Sequence, residues 1–148
     1  MPAEQKKTSH LTVGNIGLFY VCYRLSCMGW NVLPTSRNAR GVDVIIYSQD
    51  AKTIHTIQVK TLSKRTPVPF GKNRGNLFAE FFVVCVRAVN PNSGADEPSP
   101  ECFVLRKKEL RISRRGEGEK KSYWLQPRDY ENGTFRGRWD KIGHGAVP

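Results

Sequence analysis

Residues 41–60 read GVDVIIYSQDAKTIHTIQVK. Two runs rich in β-branched residues flank a short polar break at 48–52, and this pattern predicts a β-hairpin. A hairpin folded symmetrically about the break places Asp43 directly across from Gln58. Because side chains alternate along a strand, Gln58 and Lys60 share one face. The stretch therefore predicts that a carboxylate, an amide oxygen and an ammonium group converge on one spot.

These groups suit a divalent metal ion held against a phosphate. Mg²⁺ and Mn²⁺ prefer oxygen ligands, which the Asp43 carboxylate, the Gln58 amide and the backbone carbonyl of Val59 would supply. A bound metal lowers the pKa of water, and Lys60 would orient that water or balance charge on the phosphate. An ordinary solvated polar face is the alternative for so short a motif. Against it, the reverse face of the hairpin is wholly apolar and is expected to lie in the core.

The charge of the chain favours a polyanionic partner. The 148 residues include 24 Lys and Arg against 13 Asp and Glu, a net charge of +11, which points first to nucleic acid and second to an anionic membrane surface. A second basic run, over residues 106–115, reads equally well as solvated surface. The predicted nucleic-acid contacts are the basic residues that flank the hairpin: Arg37, Arg40, Lys64, Arg65, Lys72 and Arg74.

The cysteines and the amino terminus bear on the compartment. No pair of cysteines has the Cys-x-x-Cys spacing of a zinc site, and Cys22, Cys27 and Cys85 lie in apolar runs that predict reduced core thiols. Residues 1–9 lack the apolar segment of a signal peptide, and no run approaches the roughly 18 apolar residues of a membrane span. We therefore expect a cytoplasmic protein with no membrane partner.

The remaining pattern predicts an α/β fold. Apolar residues spaced by three and four indicate a first helix, capped by Thr8 or Ser9 and ended by Gly29. We expect a mixed central sheet of about five strands flanked by helices, in one domain over 1–148. Outside the hairpin the predicted elements are strands at 31–33, 78–86 and 102–105, an edge strand at 122–125, a loop or hairpin tip at 61–75, a short basic helix starting at 106, a loose tail at 1–8 and a basic, aromatic extension over 106–148.

The hairpin resembles the core of the PD-(D/E)XK nuclease superfamily, which includes restriction endonucleases, Holliday junction resolvases and intron-encoded homing endonucleases. The segments MGWNVL at 28–33 and RWDKI at 138–142 are similar to the end of the first helix and to the ending of small prokaryotic members. The resemblance implies a restriction-endonuclease-like core and Mg²⁺- or Mn²⁺-dependent phosphodiester hydrolysis. Asp43 matches the metal-binding aspartate, Gln58 the second acidic position and Lys60 the catalytic lysine.

The first helix departs from the superfamily pattern. Many members place a glutamate on this helix, and Leu18 stands at the corresponding position here. Three functions remain open. The first is a metal-dependent endonuclease acting on duplex or branched DNA, as a homodimer because cutting both strands takes two sites. The second is a decayed nuclease-fold module that binds nucleic acid or a protein, and the third is an RNA-processing nuclease.

Overall fold

The first helix begins and ends where the sequence predicts. The computed structural model describes residues 8–36, 40–88 and 96–146, and α1 spans His10–Cys27. The Ser9 side chain caps the helix by accepting a hydrogen bond from the backbone N–H of Thr12. Gly29 then turns the chain with φ +86°, a conformation that glycine adopts without a steric penalty.

A five-stranded mixed sheet forms the centre, as the sequence predicts. Its strands run in the order β1-β2-β3-β5-β6, with β3 and β5 parallel and the other neighbours antiparallel. A second sheet of three antiparallel strands, in the order β4-β8-β7, is called the small sheet. The strands are β1 (Asn31–Pro34), β2 (Val44–Tyr47), β3 (Ile54–Leu62), β4 (Val68–Pro69), β5 (Phe81–Val86), β6 (Glu101–Arg106), β7 (Ser113–Arg115) and β8 (Ser122–Leu125).

The β2–β3 hairpin has the register expected from its sequence. Val44 pairs with Ile57, and the pairing continues to the turn. At Asp43 the pairing departs from this register, because the N–H of Asp43 donates to the carbonyl of Ile57, the partner of Val44, so the expected pairing of Asp43 with Gln58 does not form. Val44, Ile46 and Ile57 are fully buried in the core cluster that α1 covers. The apolar reverse face is therefore in the core, and this burial determines the register.

Helix α1 lies close against β3 because a glycine faces the strand. A Cβ atom added to Gly17 would sit 1.8 Å from the Oγ1 atom of Thr61. No larger residue fits there without moving the helix. The close approach brings the amino-terminal half of α1 over the strand that carries Gln58 and Lys60.

The small sheet covers the opposite face of the central sheet. Val68 and Phe70 pack with Leu125 from the small sheet and with Phe82 and Val84 from β5. In the parallel register Gln58 lies beside Phe82, and residue 60 lies beside Val84, so the pair formed by Gln58 and Lys60 is on this covered face. Its position between two sheets is a consequence of tertiary packing that the hairpin sequence does not reveal.

Two expectations for the carboxyl-terminal part were wrong. The strand at 122–125 is the central strand of the small sheet and not an edge strand. The basic segment from 106 contains only a 3₁₀ turn at Lys107–Glu109 and then continues as β7. Both errors have one cause, since β7 and β8 are stabilised by pairing with each other and with β4, which is distant in sequence. Trp139 and Ile142 dock in the core cluster with α1, as expected.

The cysteines are only partly core thiols. Cys85 and Cys102 face each other across β5 and β6, both buried, with 3.5 Å between the sulfur atoms. The hydrogen bond from Cys102, together with burial, raises the pKa of the Cys85 thiol well above its usual value. Cys22 is half-buried, and Cys27 is exposed, which contradicts the expectation for Cys27. Within the described residues, no helix has both the length and the apolar character needed to cross a membrane.

Candidate active site

Asp43 lies at the point where the β2–β3 ladder ends. Its N–H donates at 2.9 Å to the carbonyl of Ile57, which is also the register partner of Val44, so the register shifts by one residue here. Its own carbonyl accepts from Thr35 instead of from β3. The N–H of Val59 therefore donates to the Asp43 carboxylate, with 2.7 Å between the nitrogen and Oδ2. This bond fixes the carboxylate over β3 and leaves its Oδ1 without a hydrogen-bond donor among the described residues.

The amide oxygen of Gln58 is buried and has no hydrogen-bond partner among the described residues. A buried polar atom left in this way costs roughly 1–3 kcal/mol. Gln58 lies beside Phe82 on the face that the small sheet covers, whereas Asp43 lines the cavity on the α1 side, so the expected shared face of the two residues is wrong. A buried oxygen without a donor, one residue from the N–H that holds the Asp43 carboxylate, is a candidate ligand to a cation.

Lys60 follows two residues along β3 and lies on the same face. Its Nζ is 5.2 Å from the centre of the Phe70 ring. Burial lowers the pKa of Lys60 below its usual value, and the nearby Asp43 carboxylate opposes that shift. A lowered pKa makes a lysine a better partner for proton transfer than an ordinary exposed lysine.

The backbone of Val59 offers a third oxygen. The N–H and C=O groups of one strand residue project from the same edge. Since the N–H of Val59 reaches the Asp43 carboxylate, its carbonyl points to the same edge, just beyond the end of β2. The three predicted metal ligands, Asp43, Gln58 and Val59, are therefore neighbours in the fold.

A cavity of about 240 Å³ opens between α1 and this edge of the sheet. Leu18 lines it together with Asp43 and Val59, so the helix position predicted for the missing glutamate does face the site. The first turn of α1 carries no acidic residue. Within the described part of the chain, no group of three or more His, Cys, Asp and Glu side chains is placed to hold a metal ion.

Sequence reasoning missed two polar residues of this cavity, Asn15 and His10. Asn15 precedes Leu18 by three residues, and His10 lies further back along the same helix. Residues three and four apart share a helix face, so the position of Leu18 was a usable signal for Asn15. His10 is less predictable because the first residue of a helix has less certain geometry.

The predicted nucleic-acid contacts differ in their exposure and in whether their charge is already paired within the protein. Arg40, Lys64 and Lys72 are exposed, whereas Arg37 lies outside the described residues. Arg65 is bound by Glu101 at 2.7 Å and also by Glu131, and these contacts raise its pKa. Arg74 is exposed, with its guanidinium 5.6 Å from the centre of the Tyr123 ring. Arg65 is the weakest candidate of the set because its charge already has partners.

Comparison with known proteins identifies the fold. No protein-family model matches the chain, and no curated protein sequence matches it. A solved structure of a bacterial homing endonuclease, I-Ssp6803I, superimposes on 90% of this chain and 92% of its own, with a TM-score of 0.54 and 20% sequence identity. The chain has a restriction-endonuclease-like fold. The Holliday junction resolvase Hjc of Archaeoglobus fulgidus covers 75% of this restriction-endonuclease-like chain and 88% of its own, at 13% identity and a TM-score of 0.46.

Proposed function

We propose that this restriction-endonuclease-like chain is a metal-dependent DNA endonuclease that hydrolyses phosphodiester bonds. Asp43, Gln58 and Lys60 form its catalytic set. The single observation that carries the proposal is the buried amide oxygen of Gln58, which lacks a hydrogen-bond donor among the described residues and belongs to the residue next to Val59, whose N–H binds the Asp43 carboxylate. A polar face with a purely structural role would pair this oxygen with a donor of the protein.

The donor set fits Mg²⁺ or Mn²⁺. Asp43 supplies a charged oxygen, while Gln58 and the carbonyl of Val59 supply neutral ones, and cations of this type bind such oxygens with few protein ligands. A divalent cation supplies Lewis-acid polarisation of the phosphate and acidification of water. Only one of the three oxygens is charged, so the site should bind the cation weakly. A loss of about 1.4 kcal/mol in binding free energy lowers the affinity tenfold.

The chain itself positions the reacting groups. The bond from the Val59 N–H holds the Asp43 carboxylate in a single orientation before substrate arrives, which avoids reorganisation during the reaction. Lys60, with its lowered pKa, can orient an attacking water, take part in proton transfer and offset charge on the phosphate. The Phe70 ring beside Lys60 keeps the ammonium in apolar surroundings, where its charge acts more strongly.

DNA is the substrate that the charge favours. The net charge of +11 and the exposed cations Arg40, Lys64 and Lys72 suit a phosphate backbone. The neighbour with 20% identity is a homing endonuclease, which agrees with a substrate of this class. Cutting both strands in one encounter takes two sites, so we further propose a homodimer on DNA. Sedimentation of the protein with and without duplex DNA measures this state.

The test is cleavage of supercoiled plasmid in Mg²⁺ or Mn²⁺, with Lys60→Ala and Asp43→Asn variants beside the wild type. Nicked and linear plasmid should form with the wild type and not with either variant. The variant Lys52→Ala, which removes one positive charge outside the site, should cleave plasmid like the wild type. Equal cutting by the wild type and Lys60→Ala would refute the assignment of Lys60.

One observation favours a second function, a nuclease-fold module that binds DNA or a protein without cutting. Leu18 fills the helix position facing Asp43, and the first turn of α1 carries no acid. For this function we expect salt-sensitive binding of duplex DNA and intact plasmid in both metals. Faster cutting of RNA than of DNA in the same assay would instead favour an RNA-processing nuclease.

A further inference from the structure

Cys85 and Cys102 meet in the core as a pair of thiols that the proposed reaction does not use. They are register partners on the antiparallel strands β5 and β6, and the Sγ atom of Cys102 donates to the Sγ atom of Cys85 at 3.5 Å. Cys85 is fully buried, whereas Cys102 is 5% exposed. The pair therefore lies at a fixed place in the sheet, with one member at the border of the core.

The backbone hydrogen bonds of β6 identify the kind of antiparallel pair that the two cysteines form. The carbonyl of Cys102 accepts from the N–H of Gly137, and the N–H of Val104 donates to the carbonyl of Phe135. These backbone groups therefore point away from β5. Since the N–H and C=O groups of one strand residue project from the same edge, Cys102 and Cys85 form a pair with no backbone hydrogen bond between them.

A pair of this kind has the spacing that a disulfide requires. Its Cα atoms lie about 4.5 Å apart, and its side chains are closer than those of a hydrogen-bonded pair. Disulfides span Cα separations of about 4.4–6.8 Å, with about 2.0 Å between the sulfur atoms. The sulfur atoms of Cys85 and Cys102 must therefore approach by about 1.5 Å, which small rotations of the side chains supply while the strands stay in place.

We propose that Cys85 and Cys102 are a redox modification site, at which a hydroperoxide converts the two thiols to an intramolecular disulfide. The site is independent of the proposed function. Both cysteines belong to the core cluster that α1 covers, whereas Gln58 and Lys60 lie on the opposite face of the central sheet, under the small sheet.

The first step of the reaction takes place at Cys102. This residue keeps some exposure, whereas burial and the hydrogen bond from Cys102 raise the pKa of the Cys85 thiol and make it the poorer first nucleophile. The Cys102 sulfur loses its proton and attacks one oxygen of hydrogen peroxide, and the O–O bond breaks. Cys102 becomes a sulfenic acid, and the departing hydroxide takes up a proton to form water.

The second step closes the bond between the strands. The Cys85 sulfur attacks the Cys102 sulfur, the S–O bond breaks, and the oxygen leaves as a second water with the proton from Cys85. The two thiols thus lose two electrons and two protons, and one peroxide is reduced to two waters. Because Cys85 is already in contact, closure precedes further oxidation of Cys102 to a sulfinic acid. A thiol reductant restores both cysteines.

The first test is peptide mapping of the folded protein after treatment with hydrogen peroxide well below the unfolding temperature. Remaining thiols are alkylated, and trypsin, which cleaves after Lys and Arg, then places Cys85 in the peptide 75–87 and Cys102 in the peptide 88–106. The two peptides should be joined, with the mass of two hydrogen atoms missing, and dithiothreitol added before alkylation should separate them. The control variant Cys27→Ser, which lacks an exposed thiol, should give the same joined peptide.

A sample in which Cys27 is fully oxidised shows that enough oxidant was present. Recovery of Cys85 and Cys102 from that sample as alkylated thiols, as sulfinic acids or joined to other cysteines overturns the proposal. This measurement uses the wild type alone, so it does not depend on the folding of any variant.

The second test measures whether the bond forms between strands in their native positions. The cross-linked residues are 17 apart in the sequence. An unstrained disulfide closing a loop of this size should raise the unfolding temperature of the oxidised wild type by roughly 5–10 °C over the reduced protein. Cys102→Ser should show no such rise after the same treatment. An unchanged or lower unfolding temperature of the disulfide-bonded wild type overturns the proposed geometry.

Discussion

Replacing Gln58 by Met tests whether its buried oxygen serves a ligand from outside the chain. In the folded protein this oxygen has no donor among the described residues. Its removal should therefore increase the free energy of unfolding in EDTA by about 1 kcal/mol, the low end of the cost of such an atom. Methionine has a similar length and volume, so no cavity offsets the gain. For a domain of this size the unfolding temperature should rise by roughly 2–4 °C.

Added Mg²⁺ should reverse the order of stability of the two proteins, so that the wild type becomes more stable than Gln58→Met. A ligand at a hundredfold excess over its Kd stabilises the folded state by about 2.7 kcal/mol. The wild type should gain stability with added Mg²⁺ on this scale, whereas Gln58→Met has lost a ligand and should gain less. Plasmid cleavage by the variant should fall with the loss of metal affinity. The assay is thermal unfolding over a Mg²⁺ titration, beginning in EDTA.

Gln49 provides the control. It is an exposed glutamine whose Nε2 donates to the carbonyl of Gly29 at 2.7 Å. Gln49→Met loses that bond and should be slightly less stable, by about 0.5–1.5 kcal/mol, with an unchanged response to Mg²⁺. If Gln58→Met is less stable than the wild type in EDTA, a donor within the protein satisfies the oxygen and the reasoning fails. Full Mg²⁺ stabilisation of Gln58→Met refutes the metal assignment.

Three further predictions concern the site and the helix above it. Leu18→Glu adds a carboxylate to the cavity that Asp43 lines and should increase Mg²⁺ affinity roughly tenfold, about 1.4 kcal/mol, in calorimetry; a similar gain with Leu18→Gln would contradict the electrostatic explanation. Burial lowers the pKa of Lys60 in the folded protein. At a pH between that lowered pKa and the usual 10.5, Lys60 is protonated in the unfolded chain and deprotonated in the folded one, so the free energy of unfolding rises with pH over this window. Lys60→Met should show a smaller rise in denaturant titrations, and an unchanged pH slope would disprove this account. Gly17→Ala forces a Cβ atom against Thr61 of β3 and should lower the free energy of unfolding by about 1–3 kcal/mol. Gly14→Ala has open space for its Cβ atom and should raise the free energy of unfolding by about 0.5–1 kcal/mol. Equal effects of the two variants in denaturant titrations would refute the close approach of α1 to β3.

Much of the fold was predictable because short-range patterns determine it. The capping serine and Gly29 set the ends of α1, and alternating apolar residues set the register of the hairpin from Val44 to the turn. The strand at 81–86 was recognisable because all its residues are apolar, which is typical of a central strand. In each case the deciding interaction lies within a few residues or within one hairpin.

The carboxyl-terminal half was less predictable because its structure depends on distant partners. The segment at 113–115 has basic residues that suit a helix as well as a strand, and its pairing with β8 decides between them. Likewise, no residue close to Arg65 in the sequence predicts its contacts with Glu101 and Glu131. Contacts of this range depend on the arrangement of whole elements.

The sequence by itself determined the hairpin, its register from Val44 to Tyr47 and the shared face of Gln58 and Lys60, since strand alternation and a buried apolar face allow one pairing. Only the tertiary structure decided that Gln58's oxygen is buried without a donor among the described residues, that the pairing shifts at Asp43, that Leu18 lines a cavity with Asp43 and that the small sheet covers Lys60. These properties arise where α1, the central sheet and the small sheet meet. Burial and the absence of a partner depend on every surrounding group, and no local pattern encodes them.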